Sequence, residues 1–189
     1  VSYFSKLLSP DTSVRLEKQE NFPKQTFRNR CSIYSPNGKL DLIIPIKKGR
    51  AEHTPYKDVR ISYDDNWQRI HWLSLQTAYR RSAYFEFYED ELAPFYHQRT
   101  EFLMDYNEQI LHKLLKLLKN DKKIEVTESY QKQYETELDY RALFNPKLIQ
   151  KENVNQQYYQ VFSAKYGFIP HLSVIDLLFN LGPGANKFL

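Results

Sequence analysis

The stretch Cys31-Ser32-Ile33-Tyr34-Ser35-Pro36-Asn37-Gly38-Lys39-Leu40-Asp41-Leu42-Ile43-Ile44-Pro45-Ile46 decides the fold. Two β-prone runs, Cys31 to Tyr34 and Leu40 to Ile46, flank Ser35-Pro36-Asn37-Gly38, and Asn-Gly supplies the positive φ angles a tight turn needs. The spacing predicts a β-hairpin. On its N-terminal side Val14-Arg15-Leu16-Glu17 alternates apolar and polar with the period of a half-buried strand, and on its C-terminal side Val59, Ile61 and Tyr63 do the same. Beyond Tyr63 the period becomes helical. Asp64 or Asp65 is placed to cap a helix running to about Arg81, with Trp67, Ile70, His71, Ser74, Leu75 and Ala78 on one face. Ala83 to Tyr96 reads as helix broken near Pro94, which lacks an N–H and crowds the preceding turn. The clearest helix covers Thr100 to Lys119, with Phe102, Leu103, Tyr106, Ile110, Leu114, Leu117 and Leu118 inward. Ile124 to Thr127 reads as a strand, and Gln131 to Ile149 has no decisive period. Near the end, Ser173 and Asp176 form a shortened capping box ahead of Ile175, Leu177, Leu178 and Phe179, with Gly182-Pro183 as the stop. Strands early and helices late predict one α/β domain over residues 1–189, with α+β as the alternative: a mixed sheet containing the hairpin, packed against several helices.

Composition narrows the function classes. The chain has 189 residues, the length of one domain at roughly 100–200 residues each. Its 27 basic and 23 acidic residues leave a net charge of +4, too small a surplus to imply a nucleic-acid partner. With 41% hydrophobic and 26% charged residues it has the make-up of a folded chain. The unusual figure is 15% aromatic, from side chains that bury large areas while Tyr keeps a polar tip. A single cysteine, Cys31, excludes an internal disulfide and suits a reducing cytosol. Uninterrupted apolar runs are a few residues long, so no bilayer span is expected, and no secretory leader is visible. The chain opens at Val1 without Met, so a short N-terminal segment is expected to precede it.

Four constellations carry possible chemistry. Lys24-Gln25-Thr26-Phe27-Arg28-Asn29-Arg30 sets three cations and two amides within seven residues, and arginine forks with a lysine point charge suit a phosphorylated or carboxylated ligand. The competing reading is a solvated loop whose cations pair with Glu17 or Glu20. His71 shares a helical ridge with Leu75 and Tyr79; an imidazole titrating near neutrality is a candidate general base, and otherwise a hydrogen-bonded core residue. Cys31, flanked by Arg28 and Arg30, reads as a packed thiol within a strand. Asp176 and Asn180 sit one turn apart on an otherwise apolar helix and must find partners. The remaining histidines are scattered, and the HExxH, paired CxxC, GxSxG, phosphate-loop and GxGxxG patterns are missing, so no metal and no cofactor are expected.

Taken together, the 24–30 cluster, Ile33, Asn37-Gly38, Ile44-Pro45-Ile46, Trp67 with His71, Ala78-Tyr79, Tyr159-Gln160-Val161-Phe162, Gly167-Phe168 and Leu172 to Pro183 resemble the WbqC-like protein family across nearly the whole chain. The family's usual opening, a short strand followed by a Tyr-Phe-Pro type segment, is represented here by Tyr3, Phe4 and Leu7 alone. What the resemblance implies is a bacterial cytoplasmic protein tied to O-antigen gene clusters that transfers an acyl or aminoacyl group such as glycine onto an amino sugar. The alternative is a non-catalytic carbohydrate- or nucleotide-binding module. The residues carried over are His71, Tyr79 and Asp176 as catalytic, and Lys24, Arg28, Asn29, Arg30 and Asn180 as substrate-binding. The expected partner is a small molecule, a sugar nucleotide or carrier-linked sugar, and the oligomeric state is left open. A last expectation joins the chain ends: Asp176 and Asn180, needing donors, should lie against Lys24 to Arg30 and bound a pocket with His71.

Overall fold

The hairpin forms where its sequence places it. In the computed structural model, which describes residues 1–10, 13–23, 26–47, 54–132, 139–141 and 156–189, strand β2 (Arg30–Ser35) pairs antiparallel with β3 (Gly38–Ile43), Ser35 standing opposite Gly38. The turn centres on Pro36-Asn37 and not on Asn37-Gly38. Proline's fixed φ suits the first central position, and the positive φ falls on Gly38 alone among the turn residues, at 97°. The Ser35 hydroxyl holds the turn, donating to the Gly38 carbonyl at 2.8 Å and accepting the Asn37 N–H at 3.2 Å.

Strand β1 (Val14–Leu16) forms, and its partner is β4 (Ile124–Val126), parallel, with Val14 opposite Ile124. The α/β class holds, while among the described residues the strands make a parallel pair and an antiparallel pair and not one continuous mixed sheet. The strand expected over Val59 to Tyr63 is replaced by a 3-10 turn (Tyr56–Asp58) and two isolated bridges, Ile46 to Ile61 and Arg60 to Phe102. Val59 and Ile61 still point inward.

Helix α1 is Ser2–Leu7, with Phe4 and Leu7 in the core. Helix α2 (Trp67–Tyr79) begins at Asn66 without help from either expected aspartate, because Asp64 takes the Ser62 hydroxyl at 2.7 Å. Its buried side carries Trp67, His71, Trp72, Leu75, Ala78 and Tyr79; Ile70, expected inward, is 60% exposed. Pro94 divides the next stretch into α3 (Phe85–Leu92) and α4 (Pro94–His97), as its missing N–H requires. Helix α5 (Leu103–Leu117) buries Leu103, Met104, Tyr106, Leu111, Leu114 and Leu115. A short α6 (Ser163–Tyr166) precedes α7 (Val174–Leu181), in which every residue from Val174 to Asn180 is buried. A helix apolar all round belongs in the middle of a molecule, and α7 sits among Ile33, Leu75, Tyr79 and Phe85 in the larger of two apolar clusters. The smaller gathers Ile44, Val59, Ile61, Trp67, Leu103 and Tyr106. Most of the ambiguous 131–149 span lies outside the described residues.

The expected capping box of α7 does not form. Ser173 makes no side-chain cap bond, and its carbonyl accepts the Asp176 N–H at 3.1 Å while the Asp176 carboxylate turns elsewhere. The stop at Gly182 does form, with φ 53°, and a Cβ there would lie 2.4 Å from the Tyr84 ring. Positive φ and a ring against the α-carbon both select glycine. Gly182→Ala is therefore expected to cost about 2–4 kcal/mol in urea-induced unfolding, and a loss under about 0.5 kcal/mol would show that Tyr84 moves aside freely.

Candidate functional site

The polar centre of the molecule is Asp176, which has no accessible surface. Its Oδ1 accepts the Tyr79 hydroxyl at 2.6 Å; its Oδ2 accepts the Tyr158 hydroxyl at 2.6 Å and the Gln160 amide at 3.2 Å. Burial raises its pKa, and the Tyr158, Tyr79 and Gln160 hydrogen bonds pull the other way. The Tyr79 hydroxyl, donating to Asp176, also accepts the Tyr34 backbone N–H at 3.0 Å. A short chain of bonds thus runs from the edge of β2 through α2 into α7. Burial and the adjacent carboxylate push the Tyr79 phenol well above its ordinary value, so it stays a donor. Gln160 is held in turn by Ile169, amide to carbonyl and N–H to side-chain oxygen, both 2.9 Å.

The chain ends do meet, with other partners than expected. The Ser173 N–H donates to the Ser32 carbonyl at 2.8 Å, bringing α7 against β2. Asp176 nevertheless takes two phenols and an amide, and no arginine fork, because Arg28 is engaged elsewhere. The Asn180 amide is tied back one turn to the Asp176 carbonyl at 2.7 Å, and its Oδ1 is buried without a hydrogen-bond partner. Tyr158 carries no signal of its own in the sequence, and Gln160 stands only within the family-like run Tyr159 to Phe162 with no role attached, because both lie in irregular chain where no period marks a buried face.

Of the 24–30 cluster, Lys24 lies outside the described residues. Arg28 forms an ion pair with Glu20, sits 5.7 Å over the Tyr56 ring, and offers its carbonyl to Asn107 at 2.6 Å. The solvated-loop alternative is thus realised at Arg28. Asn29 bonds Ile44 twice, by backbone at 2.8 Å and by its amide at 3.1 Å, leaving Oδ1 buried and unpaired. Arg30 differs: it is half-buried, enters no ion pair among the described residues, and its Nε is buried without a partner.

His71 is buried, edge-on to the Trp67 ring at 5.1 Å. The Ile43 carbonyl faces the ring and favours its charged form, and Ile43 is the cross-strand partner of Arg30. His71, Arg30 and Asn29 therefore share the open end of the hairpin, while Tyr79 lies two turns away at Tyr34. Desolvation lowers the imidazole to about 4 despite the Ile43 carbonyl, so the ring is neutral at pH 7. Burial raises the Cys31 thiol to about 11, which makes it an inert packed group. A cleft of about 360 Å³ at the start of α2 is lined by Tyr63, Asp64, Asp65, Asn66, Gln68 and Arg99, and contains none of the candidate catalytic or substrate-binding residues. Among the described residues no group of His, Cys, Asp and Glu is arranged to hold a metal ion, and no helix is long and apolar enough to cross a membrane.

Fold and site together define a small α/β protein built on a hairpin clasped by a buried tyrosine–aspartate bond. The model of the WbqC-like protein family matches residues 1–147, and the chain belongs to that family. It is also similar to a protein of Mycobacterium tuberculosis, Uncharacterized protein Rv1507c, at 23% identity over 214 residues, covering 99% of this chain and 91% of that one. No solved structure gives a significant match. The family match stops short of Tyr158, Gln160 and α7, whereas the alignment with the mycobacterial protein takes in nearly the whole chain.

Two measurements follow. The folded imidazole near 4 lies below the ordinary 6.5, so the unfolded chain binds a proton that the folded one refuses, and stability falls as pH drops from 6.5 towards 4. His71→Gln should remove on the order of 2–3 kcal/mol of that fall; Asp176, shifted upward and acting in the opposite sense, is common to both proteins and cancels in their difference. Identical pH profiles for the two would contradict the burial assigned to His71. Asp176→Asn must turn an amide towards donors and should cost about 2–4 kcal/mol, against about 1–2 for Tyr158→Phe, which leaves the other two bonds.

Proposed function

We propose that the protein transfers an activated acyl or aminoacyl group to the amine of a sugar carried on a phosphate-bearing handle, and that the chemistry takes place at the open end of the hairpin. The observation that carries this reading is Arg30: a half-buried cation without an ion pair, in register with the residue whose carbonyl faces His71. A guanidinium without an ion pair at the same end of the hairpin as a neutral imidazole suits an anionic group on the substrate, bound bidentately. The family resemblance read from the sequence implies the same class of reaction.

The step needs a proton acceptor and little else from the protein. The sugar amine attacks the acyl carbon, a C–N bond forms, and the nitrogen of the adduct becomes cationic and acidic. The Ile43 carbonyl is assigned the proton-bearing nitrogen of His71, so the other ring nitrogen offers its lone pair to that acidic N–H. Collapse of the adduct breaks the bond to the leaving oxygen or sulfur of the donor, which takes up the proton. The Arg30 fork faces the developing oxyanion; the Asn29 amide nitrogen is held by the Ile44 carbonyl. Tyr79 and Asp176 have no route to substrate; in this reading they position α2 and hence His71. Ile43 and Ile70 are 43% and 60% exposed, and in this reading they supply an apolar rim.

His71→Ala and Arg30→Ala, assayed with amino-sugar nucleotides and aminoacyl donors, are expected to lower kcat/KM by about 10²–10⁴ and about 10-fold or more respectively, with Arg30→Lys recovering part of the loss. Binding of the sugar nucleotide that survives in His71→Ala without any turnover in the wild type would favour the non-catalytic binding module instead, and undiminished turnover in His71→Ala removes that residue from the base role.

A further inference from the structure

One face of the molecule is divided by charge in a way the site does not use. Helix α2 contains no acidic residue. Arg69, Leu73 and Arg80 fall within about 40° of one another on its helical wheel; all three are exposed, Leu73 at 49%. Beside them runs α3, whose outer side presents Glu86, Asp90 and, 75% exposed, Phe87. The two faces are neighbours, because the Gln76 amide of α2 donates to Glu89 of α3 at 2.9 Å. The side chains of Arg69, Arg80, Glu86 and Asp90 enter no hydrogen bond or ion pair among the described residues, although Glu91 and Lys113 nearby do pair.

We propose that this surface is a two-fold interface between copies of the chain, the basic face of α2 in each lying on the acidic face of α3 in the other. A two-fold axis brings each patch against its neighbour on the second copy, so adjacent patches of opposite charge are satisfied twice over without any other partner. Leu73 packs against Phe87 of the second copy, and Arg69 and Arg80 meet Glu86 and Asp90 around that apolar centre, an aromatic anchor with a charged rim. An anionic membrane suits α2 alone, but a bilayer covering Leu73 also presses on Glu86 and Asp90 and is repelled there. An acidic protein meets the same obstacle.

Sedimentation velocity on the full chain from about 1 to 100 μM is expected to show a concentration-dependent dimer of micromolar affinity, as a small interface gives, weakened by salt because its rim is ionic. Arg80→Glu and Phe87→Ser should each weaken dimerisation by about tenfold or more, with circular dichroism verifying that each stays folded. The double variant Arg80→Glu/Asp90→Arg, in which the charges are exchanged across the axis, should dimerise again. A monomer throughout this range overturns the proposal, as does a dimer insensitive to both single changes. Co-sedimentation of a monomeric chain with phosphatidylglycerol vesicles, abolished by Leu73→Ser, would overturn it in favour of a membrane surface.

Discussion

A carboxylate inside an apolar helix is the constraint from which the rest of this structure follows. Asp176 sits in α7, whose flanking residues are all buried, and a charge or a bare carboxyl there is untenable without donors. The donors must come from outside the helix, and they come from three places: Tyr79 at the end of α2, and Tyr158 and Gln160 in the irregular segment before α6. Each ties a separate piece of chain to α7. Gln160 passes the constraint to Ile169, and Tyr79 passes it to β2, where its hydroxyl takes the place of a neighbouring strand by accepting the Tyr34 N–H. The hairpin edge is thereby closed by a side chain from a helix, which is why β2 and β3 need no further strand beside them.

The consequence for chemistry lies at the other end of α2. With Tyr79 pinned at Tyr34, the helix runs along β2 until His71 reaches Ile43, opposite Arg30. A rigid element anchored two turns from a functional side chain places it more reproducibly than a loop does. The Trp67 ring, itself backed by Tyr106, packs on the imidazole, and burial keeps it neutral. A buried polar network that is almost fully satisfied thus orients a group that is itself only partly used within the protein.

What was legible in the sequence and what was not divide along physical lines. The hairpin, the parallel-pairing segments Val14 to Leu16 and Ile124 to Val126, the break at Pro94 and the helix over 103–117 announce themselves through local period and backbone chemistry, and the structure has each of them. Val59 to Tyr63 shows the limit of that signal: alternation there reflects two inward side chains, and the backbone finds only single bridges because no neighbouring strand runs beside it. Ile70 shares a wheel sector with Trp67 and Ser74, which predicts an inward side chain, yet the hydrophobic side is set by Trp72, Leu75 and Tyr79 on the other flank. At the candidate site, the oddity of Asp176 was visible as a polar residue on an apolar helix, but its partners were not. Tyrosine and glutamine carry no charge pattern to set against a carboxylate, whereas Arg28 and Arg30 do, and so the arginines drew the assignment. Arg28 had a nearer partner in Glu20, and a near ion pair closes a shorter loop than one with the far end of the chain.

The different fates of Arg28 and Arg30 also show why charge density alone misidentifies a binding surface. Both stand in one short cluster, and composition cannot separate them. Arg28 spends its fork on Glu20 and its plane on Tyr56, so an incoming anion would have to displace a carboxylate already in place. Arg30 has paid the desolvation of its Nε without receiving a partner, and a half-buried cation left in that condition gains more from an added anion than an exposed or neutralised one does. Arg69 and Arg80 on α2 are exposed, so desolvation does not apply to them; they differ from Lys113 on α5 in having no ion pair among the described residues. In each case the informative cation is one the fold leaves without an ion pair, and its surroundings give it weight: a buried, unpartnered Nε at the open end of the hairpin for Arg30, and an adjoining acidic face for Arg69 and Arg80.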